Sequence, residues 1–88
     1  MDKEGMSMLN RLKNAPRKTV GTKQTLKAVE KNQASVVFIA EDAEEHVVSG
    51  LKELCRTKGI EMVFVPTMKE LGQACGIDVG AASAAILS

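Results

Sequence analysis

Residues 35–65, SVVFIAEDAEEHVVSGLKELCRTKGIEMVFV, decide the fold. Two apolar runs of strand length and β-branched character, Ser35–Ala40 and Ile60–Val65, flank a segment in which Val47, Val48, Leu51, Leu54 and Cys55 recur at helical spacing. A run without polar alternation fits a strand covered on both sides. The i, i+1, i+4, i+7, i+8 set between the runs forms one buried helix face. Asp42, followed three residues on by Glu45, reads as the capping signal that opens this helix, and Gly59 as its stop. Phe38 and Phe64 lie inside the runs and read as core.

The same alternation continues outward in both directions. Pro66 closes the second run, Thr67 and Glu70 form another capping box, and a short helix through Leu71 to Cys75 ends at Gly76. On the other side, Met8–Ala15 reads as a helix with Leu9 and Leu12 on one face, stopped by Pro16 because the residue before proline is pushed out of the helical region. Lys18–Val20 reads as a short strand. Thr22 is the expected N-cap of a helix reaching about Asn32, with Leu26, Ala28 and Val29 turned inward. The tail, Asp78–Ser88, stays open on physical grounds: alanine propensity argues for a helix, whereas small side chains equally suit a strand packed close to its neighbours. Alternating strands and helices imply helices on both faces of a parallel or mixed sheet.

Eighty-eight residues and 9.4 kDa correspond to one domain with one modest core. The 44% hydrophobic and 26% charged fractions mark a globular chain, not a disordered one. No apolar run approaches the roughly 20 residues that span a bilayer, and the start, MDKEGMSMLNRLKN, lacks the apolar stretch of a signal peptide. The cytoplasm is therefore the expected compartment. The absence of Trp and Tyr, with only Phe38 and Phe64, argues against recognition that depends on aromatic stacking of bases. Cys55 and Cys75 form no C-x-x-C pair, and His46 stands at no ligand spacing from either. The two thiols are expected as buried small hydrophobes without a disulfide, and His46 as a solvated residue. No metal and no cofactor are expected.

Charge is divided unevenly. Residues 1–33 carry eight Lys or Arg against three acids, residues 34–88 four against eight, within a net charge of +1. A basic first third on a near-neutral chain suggests one localised face for a polyanion. Its centre is Val20-Gly-Thr-Lys-Gln-Thr-Leu-Lys27. Here a turn glycine opens a helix whose first-turn N–H groups and positive dipole end favour phosphate. Gly21 permits close approach, Lys23 and Lys27 (with Lys31) share one helix face, and Gln24 offers an amide that can donate to and accept from a base edge. No nucleotide-binding P-loop and no G-x-G-x-x-G is present. A second stretch, LGQACGIDVGAASAAI over residues 71–86, places Ile77, Asp78 and Val79 in a glycine-flanked loop. Apolar side chains exposed there can cover an unstacked base; the alternative is that they fold back onto the core.

Together, GTKQTLKA and LGQACGIDVGAASAAI, with FIAEDAEE and VPTMKELG between them, resemble the small bacterial members of the kink-turn RNA-binding ribosomal protein family, the superfamily of large-subunit proteins L-seven-Ae and L-thirty-e. The resemblance covers residues 8–88, taken as a single RNA-binding domain, and leaves Met1 to Ser7 as a flexible leading segment. It implies an α/β fold, a three-layer α-β-α sandwich around a small four-stranded mixed sheet, with the tail as its last strand. The implied partner is a sharply bent RNA duplex with a bulge beside tandem sheared G·A pairs. By matching positions, Gly21 and Thr22 would meet the RNA backbone, Lys23, Gln24 and Lys27 the sheared guanines and nearby phosphates, and Ile77, Asp78 and Val79 the nucleotide flipped from the bulge. Glu41 matches an acidic position near the RNA. Archaeal members carry Asn and Glu where this chain has Lys23 and Gln24, which exchanges a carboxylate for an amide at the guanine contact.

The implied function is recognition and stabilisation of kink-turns by a monomer, associated with the ribosome, without enzymatic activity. Two other readings compete with it. A small enzyme binding a phosphorylated metabolite at Gly21–Gln24 would need a tuned base or nucleophile beside the turn. A protein-interaction module would use the acidic stretch Glu41–Glu45 as its contact face.

Overall fold

The computed structural model describes residues 3–88. Helices and strands alternate in the order α1 (Lys3–Asn14), β1 (Lys18–Val20), α2 (Thr22–Glu30), β2 (Ala34–Ala40), α3 (Glu45–Lys58), β3 (Glu61–Val65), α4 (Met68–Ala74) and β4 (Ser83–Leu87). The strands form one mixed sheet in the order β1-β4-β2-β3. β2 and β3 are parallel, and β4 runs antiparallel to both of its neighbours, β1 and β2. The α/β sandwich inferred from the motifs is the observed fold. The first helix starts at Lys3, earlier than the Met8 read from its apolar spacing. Of the leading segment Met1–Ser7, Met1 and Asp2 lie outside the described residues.

β2 divides the core in two. Val36, Phe38 and Ala40 point to the layer of α1 and α4, meeting Leu12, Leu71, Ala74 and Cys75. Val37 and Ile39 point to the layer of α2 and α3, meeting Ala28, Val29, Val48, Leu51 and Cys55. Successive strand residues face opposite ways, so a strand roofed on both sides must be apolar at every position, as Val36–Ala40 is. β4 lies beside it in the sheet interior, and Ser83, Ala84 and Ala85 are all fully buried. The tail is thus a strand: ladder bonds to two neighbours outweigh an alanine helix preference worth only tenths of a kcal/mol per residue, on the order of 0.5.

Several local expectations are corrected. β3 is an edge strand with a single neighbour; only Val65 is buried, and Phe64 is 45% exposed instead of belonging to the core. An apolar run shows that a strand can be buried, not which place in the sheet it takes. In α3, Val48, Leu51 and Cys55 are buried as expected, but Val47 is 41% exposed. Asp42 does not cap α3, which begins after an uncapped Glu44. Its Oδ1 instead accepts a bond from the backbone N–H of Met68, at 2.8 Å, and so caps α4 across space. Thr67 caps α4 as its sequence predicts, accepting from the Glu70 N–H at 3.1 Å. Gly59 closes α3 in the left-handed conformation, φ 70°. α2 ends at Glu30, short of Asn32, which takes a left-handed φ of 59°.

Candidate nucleic-acid interface

The sheet topology gathers the candidate residues at one end. β1 and β2 finish where β4 begins, because β4 is antiparallel to both. Gly21 follows β1, Glu41 follows β2, and the loop holding Ile77, Asp78 and Val79 leads into β4. Segments separated by more than fifty residues in the chain therefore share one rim. The backbone confirms the closeness: the Gly21 N–H donates to the Ser83 carbonyl at 2.8 Å, the Ala40 N–H to the Ala82 carbonyl at 2.9 Å, and the Glu41 N–H to the Val65 carbonyl at 2.7 Å.

Gly21 is the N-cap of α2, at φ 94° and ψ 153°. That region is nearly closed to any residue with a β-carbon, although a β-carbon there would meet no other atom. Glycine is needed for its backbone angles, not for space. Its carbonyl accepts the first helical bond, from the Thr25 N–H at 3.0 Å. No described side chain caps the helix. Thr22, expected as the cap, is instead the first helical residue, and its Oγ1 lies 2.7 Å from Ser83 Oγ. The first-turn N–H groups keep the positive end of the helix dipole without a competing side-chain acceptor.

Beyond the turn, Lys23, Gln24 and Lys27 are exposed, while Thr25 is fully buried and its hydroxyl pairs with that of Thr19 at 2.8 Å. This buried pair clamps the underside of α2 to β1, leaving the outer side to present charge. Two neighbouring cations of the basic first third are engaged elsewhere. Lys18 Nζ donates to the carbonyls of Leu12 and Lys13 at the end of α1, and Arg17 to the Ser88 carbonyl.

The second segment is held by α4. The Ile77 N–H donates to the Gly72 carbonyl and the Ala81 N–H to the Met68 carbonyl, each at 3.0 Å. Gly76 makes the turn at φ 82°. Gly72 admits the loop: a β-carbon there would overlap the Val79 carbonyl oxygen. Ile77 is half-buried and packs on the core, so it follows the inward alternative, whereas Val79 is 69% exposed. Asp78 and Glu41 are both exposed.

Gly72 and Ser83 were not singled out by sequence reasoning. The available signals were a glycine inside a helix and one polar residue in an otherwise apolar strand. Cys55 and Cys75 are buried free thiols whose ionisation burial disfavours; the nearby Lys18 offsets part of the effect at Cys75. Among the described residues no group of His, Cys, Asp or Glu is arranged to hold a metal, and no helix is long and apolar enough to cross a membrane. A groove of about 250 Å³ between α1 and α4, lined by Leu9, Lys13, Glu70 and Gln73, contains none of the candidate residues.

Comparison with known proteins bears on this geometry. The family model described as ribosomal protein L7Ae/L30e/S12e/Gadd45 matches residues 3–88. A protein of Caldanaerobacter subterraneus subsp. tengcongensis named as an RNA-binding protein is 61% identical over 70 residues, 80% of this chain and 85% of that one. The large ribosomal subunit protein eL8 of Halobacterium salinarum is 51% identical over 69 residues, 77% of this chain and 58% of that one. Among solved structures, the 15.5kD RNA binding protein of Giardia lamblia superposes with a TM-score of 0.87 at 30% identity, covering 100% of this chain and 78% of that one.

Proposed function

The chain belongs to the ribosomal protein L7Ae/L30e/S12e/Gadd45 family, and from that premise we propose that it is an RNA-binding protein that recognises and stabilises kink-turns. The observation that carries this reading is the convergence on one rim of an uncapped, lysine-flanked helix start and an exposed apolar loop residue, Val79. An ordinary A-form major groove is too deep and narrow for side chains. A sharply bent duplex opens it to the start of α2 and leaves an unstacked nucleotide for a neighbouring apolar surface.

In this reading Gly21 and Thr22 lie against the RNA backbone, Lys23 and Lys27 neutralise phosphates, and Gln24 bonds to a base edge of the sheared pairs. The segment Ile77-Asp78-Val79 covers the flipped nucleotide, with Val79 as the contacting side chain and Ile77 as its anchor in the core. Glu41 borders the site. Residues 8–88 act as one RNA-binding domain, as a monomer and without catalysis, in the cytoplasm and in association with the ribosome. The names of the bacterial RNA-binding relative and of archaeal eL8 support the RNA partner and the ribosomal setting.

Titration of the protein against a kink-turn and against a straight duplex of equal length, at two salt concentrations, tests the reading. Tighter binding to the bent RNA at both is expected. Equal affinity for the two RNAs at every salt concentration would reduce the function to general polyanion binding.

A further inference from the structure

The two RNA-facing segments share one anchor, Ser83. It is a fully buried polar residue at the first position of β4, directly after the loop that carries Val79. Its carbonyl accepts from the Gly21 N–H at 2.8 Å, and its hydroxyl lies 2.7 Å from the Thr22 hydroxyl. On its other side, the Ala82 carbonyl is bonded to the Ala40 N–H and the Ala81 N–H to the Met68 carbonyl. The loop thus enters β4 already fixed to β2 and α4, and the start of α2 is tied to the residue where it arrives.

The hydroxyl pair adds little that the fold requires. Ser83 is followed by Ala84 and Ala85, both fully buried, so alanine suits this stretch of strand, and replacing both partners of a hydrogen bond by apolar groups is nearly neutral for stability. The pair does change geometry. The amides are open because the N-cap is Gly21, which has no side chain, and Thr22 is the first helical residue, outside the capping position. Its hydroxyl pairs with Ser83 instead and holds the helix start in place.

We infer that Ser83, acting through Thr22 and Gly21, is a positioning residue that sets the placement of the α2 amides relative to the Ile77–Val79 loop, so that both meet one bent RNA together. The inference rests on the kink-turn reading. It makes the Thr22–Ser83 pair a determinant of discrimination between bent and straight RNA, without contact to the RNA by Ser83.

The test is a cycle of Thr22→Val, Ser83→Ala and the double variant in the full chain, titrated against a kink-turn and a straight duplex, with urea unfolding alongside. Each single variant is expected to lose about fivefold in kink-turn affinity, the scale of one hydrogen bond, with the double variant losing no more than either. For Ser83→Ala, duplex affinity and the salt dependence of binding stay unchanged, because Ser83 is buried and touches no phosphate. Since an orphaned hydroxyl can destabilise a single variant, the double variant, which leaves neither partner unpaired, is the decisive one. If it matches the wild type on a kink-turn that the wild type prefers, or if the single losses multiply in it, the inference fails and the kink-turn reading stands. If the wild type shows no preference for bent RNA, both fail together.

Discussion

The α-carbon of Gly72 faces the carbonyl of Val79 so closely that a β-carbon would overlap the oxygen. Because the obstacle is backbone and not the end of a flexible side chain, Gly72→Ala must displace either α4 or the loop. Overpacking of this kind costs about 1–3 kcal/mol. A lower urea midpoint with weaker kink-turn binding is expected; an unchanged midpoint would show that the loop yields freely and is not held by α4.

Gln24 stands exposed in the first turn of α2, beyond an N-cap that offers no side chain. Gln24→Ala is expected to weaken kink-turn binding by roughly 1–3 kcal/mol, the range of a good base contact, and straight-duplex binding much less. A gel-shift titration showing equal losses on both RNAs would remove Gln24 from base recognition.

Lys27 and Lys18 differ in what their ammonium groups do. Lys27 is exposed on the outer face of α2, whereas Lys18 binds the carbonyls that end α1. Lys27→Gln should make log K fall less steeply with log salt, by about one unit of slope or slightly less for one phosphate contact. Lys18→Gln should leave the slope unchanged and lower thermal stability instead, by about 0.3–1 kcal/mol, through loss of a cation at a helix C-terminus. Matched slopes for the two variants would contradict this division.

Burial pushes the thiol pKa of Cys55 upward, and that of Cys75 despite the opposing charge of Lys18. Above the unfolded thiol value, near ~8.5, the unfolded chain binds fewer protons than the folded one. Stability from this source is therefore complete below that pH and declines as pH rises toward the folded value. Iodoacetamide labelling at pH 8 should be slow for the folded protein and rapid in urea. Rapid labelling of both thiols without denaturant would mean that this part of the core opens readily.

Much of the architecture was legible because its causes are local. The Val36–Ala40 run announces a strand covered on both faces, Gly59 a left-handed helix end, and the Thr67–Glu70 pair a capped helix start; all three are observed. The rim residues were legible in the same way, since a turn glycine followed by Lys23, Gln24 and Lys27 is a local pattern. Asp42 was misread because its sequence spacing to Glu45 mimics a capping box, whereas its carboxylate finds an amide twenty-six positions away. Thr22 was misread similarly, its hydroxyl going to Ser83 on a neighbouring strand.

By itself the sequence determined the alternation of strands and helices, the double-sided burial of β2 and the basic character of the start of α2, because periodicity, propensity and charge act within a few residues. Tertiary structure alone decided that β3 is an edge exposing Phe64, that the alanine-rich tail, a strand only by family resemblance, takes an interior place in the sheet, and that Gly21, Glu41 and Val79 share one rim. Those outcomes depend on which strand lies beside which. That is settled by ladder bonds and packing between segments far apart in the chain, interactions that leave no mark in any short stretch of it.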